Sequence, residues 1–114
     1  MTRNVLVLIC LLLTVLLPTV SLEAQQAKKV PRVGCYMLGA AGFGPREEAF
    51  RQGLSELGYV EGQNIFIEWR FAAGQADQAT AIFDELVRLN VDIIVTHGNR
   101  STSAAKNATS TIPI

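Results

Sequence analysis

Two cysteines and a single histidine leave this chain little material for thiol or imidazole chemistry. Cys10 lies inside an apolar run, Val7-Leu8-Ile9-Cys10, with no small residue just before it, so it does not read as a lipid-modification site. Cys35 lies in a second apolar run and is expected to be a buried small hydrophobe. An expected leader cleavage after Ala24 separates the two, so no internal disulfide is expected despite an oxidising compartment. One imidazole, His97, makes neither a zinc site nor a Ser-His-Asp arrangement by itself. Glu47 and Glu48 are neighbours on an expected helix and point differently, a poor geometry for paired-carboxylate chemistry. No catalytic residue and no metal-ligand set is expected.

Clustered positive charge is lacking as well. Ten basic residues balance ten acidic ones, and the only adjacent basic pair is Lys28-Lys29. Nucleic-acid binding rests on phosphate neutralisation by grouped lysine and arginine, so no nucleic-acid partner is expected. Nucleotide fingerprints are missing too. The glycines run Gly39-x-x-Gly42-x-Gly44 rather than G-x-G-x-x-G, and no lysine completes a phosphate-binding loop. Glu68, near the end of a strand, is a weak stand-in for a ribose-binding acid, and no cofactor is expected.

The longest apolar run, Val5 to Leu17, interrupted by Thr14 alone, is thirteen residues, whereas a bilayer span needs about 20. What precedes and follows it gives the run a different meaning. Arg3 and the free amino group supply a short positive region, Pro18 breaks the helix, and Ser21-Leu22-Glu23-Ala24 forms a polar cleavage region. This is the anatomy of a secretory signal peptide, residues 1–24, with Ala24 at −1. Residues 25–31 form a polar leader. The protein is expected in the periplasm or outside the cell, with no stable membrane insertion after cleavage.

The remaining sequence alternates strand and helix patterns. Arg32 to Met37 is a strand whose apolar residues do not alternate cleanly, which suits a strand covered on both faces. After the flexible Gly39–Gly44 loop, Pro45 opens a helix to Leu57, with Ala49, Phe50, Leu54 and Leu57 expected inward and Gly53 allowing close approach to the sheet. Gly58 is its C′ glycine. Ile65 to Phe71 is a second strand, with Ile65, Ile67 and Trp69 on one side and Phe66, Glu68 and Arg70 on the other. A second helix spans Ala76 to Leu89, its inward stripe being Ala79, Ile82, Phe83, Leu86 and Leu89. Val91 to Thr96 is a third strand, Thr102 to Ala108 a third helix, and Ile112-Pro113-Ile114 the opening of a fourth strand. The order βαβαβαβ predicts an α/β fold with an open parallel sheet and flanking helices. A strand only just begun at residue 114 predicts that residues 32–114 are an incomplete lobe of a longer protein.

Ligands of open parallel sheets bind beyond the carboxyl ends of the strands. The loops that fall there are Gly39 to Gly44 and His97 to Ser101, each leading to a helix start with unpaired backbone N–H groups. The ligand-binding candidates are Gly39, Ala40, Gly42, His97, Gly98, Asn99 and Ser101.

The block Phe50-Arg51-Gln52-Gly53-Leu54-Ser55-Glu56-Leu57-Gly58-Tyr59-Val60-Glu61-Gly62-Gln63-Asn64-Ile65, followed by Ile67-Glu68-Trp69-Arg70, closely resembles the ABC-transporter substrate-binding proteins of the tryptophan/tyrosine-uptake-like family. Glu85 to Leu89, Val91 to Thr96 and Ala104 to Ile114 are similar to it too. The resemblance covers essentially all of residues 28–114. It implies a type I periplasmic binding protein, this chain being most of its amino-terminal lobe. In that family the loop after the third strand commonly reads Thr-x-Gly-[Thr/Ser], where this chain has Thr96-His97-Gly98-Asn99, with Arg100 also departing from the usual small residue. The implied activity is capture of a small solute, such as an amino acid or related carboxylate, between two lobes. The implied partners are an ABC permease and its ATPase subunits. Readings from other classes are a ligand-sensing receptor domain of the same fold, or a secreted α/β enzyme with catalytic residues beyond residue 114.

Overall fold

The computed structural model describes residues 29–39 and 42–114. The signal peptide, most of the polar leader and Ala40 lie outside the described residues. Six principal elements follow one another: β1 (Arg32–Met37), α1 (Pro45–Glu56), β2 (Phe66–Phe71), α2 (Ala79–Arg88), β3 (Ile93–Val95) and α3 (Asn99–Ala108). A single 3₁₀ turn, Ala76–Gln78, leads into α2. The sheet order is β2-β1-β3 and both pairings are parallel, with Arg32 opposite Phe66 and Val33 opposite Ile93. The architecture is an open parallel α/β sheet with helices on both faces.

β1 lies in the centre, and its side chains serve two cores. Val33, Cys35 and Met37 are buried on one face with Ile65, and Phe50 and Leu54 of α1 pack over them. Tyr36 is buried on the other face with Phe83 and Leu86 of α2, Ile94 of β3 and Ala105 of α3. Gly34 also lies on that second face. A Cβ there would stand 3.0 Å from Leu86 Cδ1, so the missing side chain is what lets α2 seat directly on β1. Two right-handed crossovers travelling in opposite directions along a sheet put their helices on opposite faces, which is the arrangement seen. Cys35 is fully buried and free, and burial, helped by the negative charge of Glu61, pushes its thiol up to about 12. It is a hydrophobe, as its sequence context implied.

α1 ends with a Schellman arrangement. Tyr59 N donates to Leu54 O and Gly58 N to Ser55 O, both at 2.9 Å, and Gly58 takes φ 88°. The helix rests on the sheet more narrowly than its periodicity suggested. Leu57 is 75% exposed, and Ala49 also faces solvent. Leu57 is the C-cap, where the chain has already left the helical path, so the apolar stripe stops at Leu54. Gly53 likewise approaches nothing, for a Cβ there would meet no atom within 4 Å. Gly53→Ala should therefore stabilise the fold by about 0.5–1 kcal/mol, the usual gain at an exposed helix interior. A rise in urea midpoint would show it; a fall would mean that α1 approaches the sheet at this point after all.

Other boundaries also moved. β3 is shorter than expected because Asp92 is turned to the start of β1, accepting from Arg32 N at 2.8 Å and from Lys29 Nζ at 3.1 Å. The expected fourth strand does not form among the described residues. Pro113 has no N–H to add to a ladder, and the edge of β3 gains one bond there, from Ile94 N to Pro113 O at 2.9 Å. Glu68 is not oriented as a ribose ligand: it lies 3.8 Å from Arg32 Nε and 3.4 Å from Arg70 Nη1. Trp69 belongs to a half-buried aromatic group with Phe43, Phe50 and Phe71, its Nε1 donating to Glu61 at 3.1 Å.

Three carboxylates set the response to acid. The hydrogen bond from Arg32 N, then that from Lys29, holds Asp92 below the usual carboxylate range. A hydrogen bond from Arg70 does the same for Glu85, and bonds from its own backbone N–H and that of Gly44 do so for Glu47. A depressed folded-state pKa gives stability that is present in full above the unfolded value and lost as pH falls through the folded one. The melting temperature should therefore hold down to about pH 5 and fall steadily below about pH 4. Asp92→Asn should flatten that fall, and an unchanged slope would remove Asp92 from the account.

Candidate functional site

The chain leaves β1 toward the face covered by α1 and leaves β3 toward the face covered by α2 and α3. The carboxyl ends of these adjacent strands thus form a topological switch point, where a crevice opens because the two loops part. Sequence order alone placed both candidate loops at strand ends; the strand order β2-β1-β3 makes them neighbours.

The loop after β1 enters α1 through Gly44, whose extended backbone forms the N-cap, with Pro45 at N1. Glu47 folds back so that its Oε2 accepts from Gly44 N at 2.8 Å. This half of a capping box occupies the Glu47 carboxylate, which is largely buried. The loop after β3 turns sharply at Gly98, with φ 88° and ψ 150°, and α3 begins at once with Asn99. The third helix thus starts three residues earlier than the periodicity suggested. Its first turn is polar and shows no apolar stripe, so the start had no hydrophobic signal. Ser101 is buried, and its hydroxyl donates back to the carbonyls of His97 and, at 3.1 Å, Gly98. Thr102 Oγ1 donates to Gly98 O at 2.8 Å. The loop carbonyls are therefore tied down by the helix that follows them.

Two clefts meet at His97. The larger, about 550 Å³, is lined by Met37, Gly39, Gly42, Phe43, Gly44, Pro45, Arg46, Glu47 and His97. The smaller, about 170 Å³, is walled by Tyr36 and Leu38 on one side and by His97, Gly98, Asn99, Arg100 and Ser101 on the other. Every candidate residue within the described set thus borders one cleft or the other, and His97 borders both. Arg46 Nη1 stands 3.2 Å from His97 Nε2, bridging the two loops. A guanidinium only donates, so in this contact His97 Nε2 is the acceptor. Thr96 Oγ1 is shielded from solvent and has no hydrogen-bond partner among the described residues.

The sequence reading missed Arg46, Phe43 and Glu47 as cleft residues. A signal for Arg46 did exist: it is a cation at the second position of a helix, where the positive end of the helix dipole disfavours it. A third hollow, about 390 Å³, lies between Arg51, Leu54 and Ser55 of α1 and Ile65 and Ile67 at the start of β2. It faces the amino ends of the strands, away from the switch point, and is not the expected place for a ligand.

No group of residues suited to a metal ion occurs among the described residues, and no helix among them is long and apolar enough to cross a membrane. No protein-family model matches the chain, and no curated protein matches it. Two solved structures do. One is the ligand-free, open structure of CD0873, a substrate binding protein with adhesive properties from Clostridium difficile. It is 26% identical, with a TM-score of 0.65 over 74% of this chain. The other is a conserved domain protein from Vibrio cholerae O1 biovar El Tor, 30% identical, with a TM-score of 0.63 over 75% of this chain. In both cases the match spans only 29% of the neighbour's own length. The described residues therefore have a substrate-binding fold, and their likeness is to under a third of a substrate binding protein.

Proposed function

We propose that residues 32–114 belong to the amino-terminal lobe of an exported solute-binding protein, preceded by a signal peptide (1–24) and a polar leader (25–31). The observation that carries this reading is the meeting of the β1–α1 and β3–α3 loops at the switch point, in a chain whose fold matches a substrate binding protein. A small solute would sit against Gly39, Ala40, Gly42, His97, Gly98, Asn99 and Ser101, with a second lobe closing over it. Glycine-rich backbone and hydroxyl groups suit that task because they offer hydrogen bonds without bulk. Differential affinity for open and closed arrangements would make the solute a switch, and the closed form would deliver it to an ABC permease. No bond is made or broken in such a cycle, so the role is binding and not catalysis.

A thermal-shift and calorimetric screen of small solutes on the full-length protein tests the reading. One chemical class should raise the melting temperature, and saturation at about 100 times Kd should add about 2.7 kcal/mol. Failure of every solute class to bind would sink it. Amino-terminal sequencing of the exported protein should begin at Gln25; a protein retaining residues 1–24 would overturn the leader assignment.

A further inference from the structure

Six arginines lie among the described residues, and they divide by circumstance. Arg32, Arg51 and Arg70 each stand beside a carboxylate: Glu68 at 3.8 Å, Glu61 at 2.7 Å, and Glu85 at 2.9 Å respectively. Arg46, Arg88 and Arg100 have no carboxylate within ion-pair distance among the described residues. Arg88 is in the last turn of α2, where the negative end of the helix dipole favours a cation. Arg46 and Arg100 are each the second residue of a helix, α1 and α3, where the dipole opposes them. Local electrostatics thus argues against both side chains, and both border the clefts that meet at His97.

We propose that Arg46 and Arg100, which line the two clefts that share His97, recognise a small acidic solute bearing carboxylate or phosphate groups. The inference rests on the solute-binding reading above and adds the ligand's charge. The acidic groups nearby do not supply the missing partner. Glu47 lines the larger cleft and feels the charge of Arg46, but its carboxylate is bonded to backbone N–H groups and forms no ion pair with it. Glu48 is exposed and outside the cleft lining, and Asp77 adjoins Ala76 of the smaller cleft without pairing with Arg100. His97 contacts Arg46 Nη1 and so holds the guanidinium at the wall of the larger cleft. A guanidinium held in this way presents its remaining N–H groups as a planar fork that matches carboxylate or phosphate oxygens. Local rules of sequence design are broken most often where function requires it, and an unpaired cation at a helix start beside a crevice is such a break. Neither arginine is among the residues that the glycine-rich loops alone had suggested.

Calorimetry on the full-length protein with succinate, inorganic phosphate and a neutral solute panel, at low and high salt, tests the inference. An acidic solute should bind, and raising the salt should weaken it. Arg46→Gln and Arg100→Gln should each reduce its affinity at least tenfold, with Arg88→Gln within about twofold of the parent. Whether succinate or phosphate responds separates the two chemistries. The ligand-free variants should melt at or above the parent temperature, because each loses a charge that its helix disfavours. Binding of neutral solutes alone, unaffected by the two substitutions, would overturn this inference and leave the solute-binding reading intact. Absence of binding by any class would overturn both. Lower melting temperatures for both variants would mark the arginines as structural and overturn the inference without touching the other.

Discussion

Phe83→Ala should lower the free energy of unfolding by about 3–5 kcal/mol, enough to remove much of the margin of a small domain. Phe83 is fully buried, its ring 4.9 Å from that of Tyr36 and tilted by 37° to it. It shares a core with Leu86, Ile94 and Ala105, which brings α2, β3 and α3 together over the second face of the sheet. Truncation would open a cavity where three elements meet, and none can close it without losing contact with another. Leu57→Ala removes a comparable apolar side chain from an exposed position and should cost under about 0.5 kcal/mol. Urea unfolding of the full-length variants separates the two: the midpoint should fall sharply for the first at nearly constant slope, and barely for the second. Equal effects would mean that burial on this face does not govern stability.

Gly98→Ala should have the second largest effect and should reach the site as well as the fold. Its φ of 88° with ψ of 150° lies in a region open essentially to glycine alone, so a side chain there costs about 1–3 kcal/mol. The cost is one of backbone conformation and not of space, since a Cβ would come no nearer than 3.9 Å to Ser101 Oγ. Relief of that strain must rotate the peptide whose carbonyl accepts from Ser101 and Thr102, and His97 moves with it. Solute affinity should therefore fall about tenfold beyond any loss of folded protein, as a shift of about 1.4 kcal/mol would give. Gly62→Ala is the control, for it also has a positive φ (83°) and open space around its Cβ but borders neither cleft. If Gly98→Ala kept full affinity, the β3–α3 turn would not shape the pocket.

The alternation of strand and helix was written in local patterns, and so was the parallel sheet that follows from it. β1 occupies the very residues its apolar run marked out, Arg32–Met37, and the side-to-side alternation of β2 appears as Ile65, Ile67 and Trp69 packed against the β1–α1 face. Positions of the candidate loops could be read too, because a loop that follows a strand and precedes a helix must lie at that strand's carboxyl end. The reading failed where apolar pattern was absent or misleading: at the polar first turn of α3, at Leu57, and at Pro113, whose ring nitrogen has no hydrogen to offer a ladder.

Local sequence thus determined the class of fold and the covered first strand, and it put both candidate loops at the carboxyl ends of strands. It could not say which loops become neighbours, because strand order is decided by crossovers that join residues far apart in the chain. Only the tertiary structure put β3 beside β1, set Arg46 against His97, and tied the Glu47 carboxylate at the cleft wall to the cap of α1. The reason is physical: a hydrophobic period reports which face of an element is covered, whereas the meeting of polar groups from two loops depends on how separate elements are stacked.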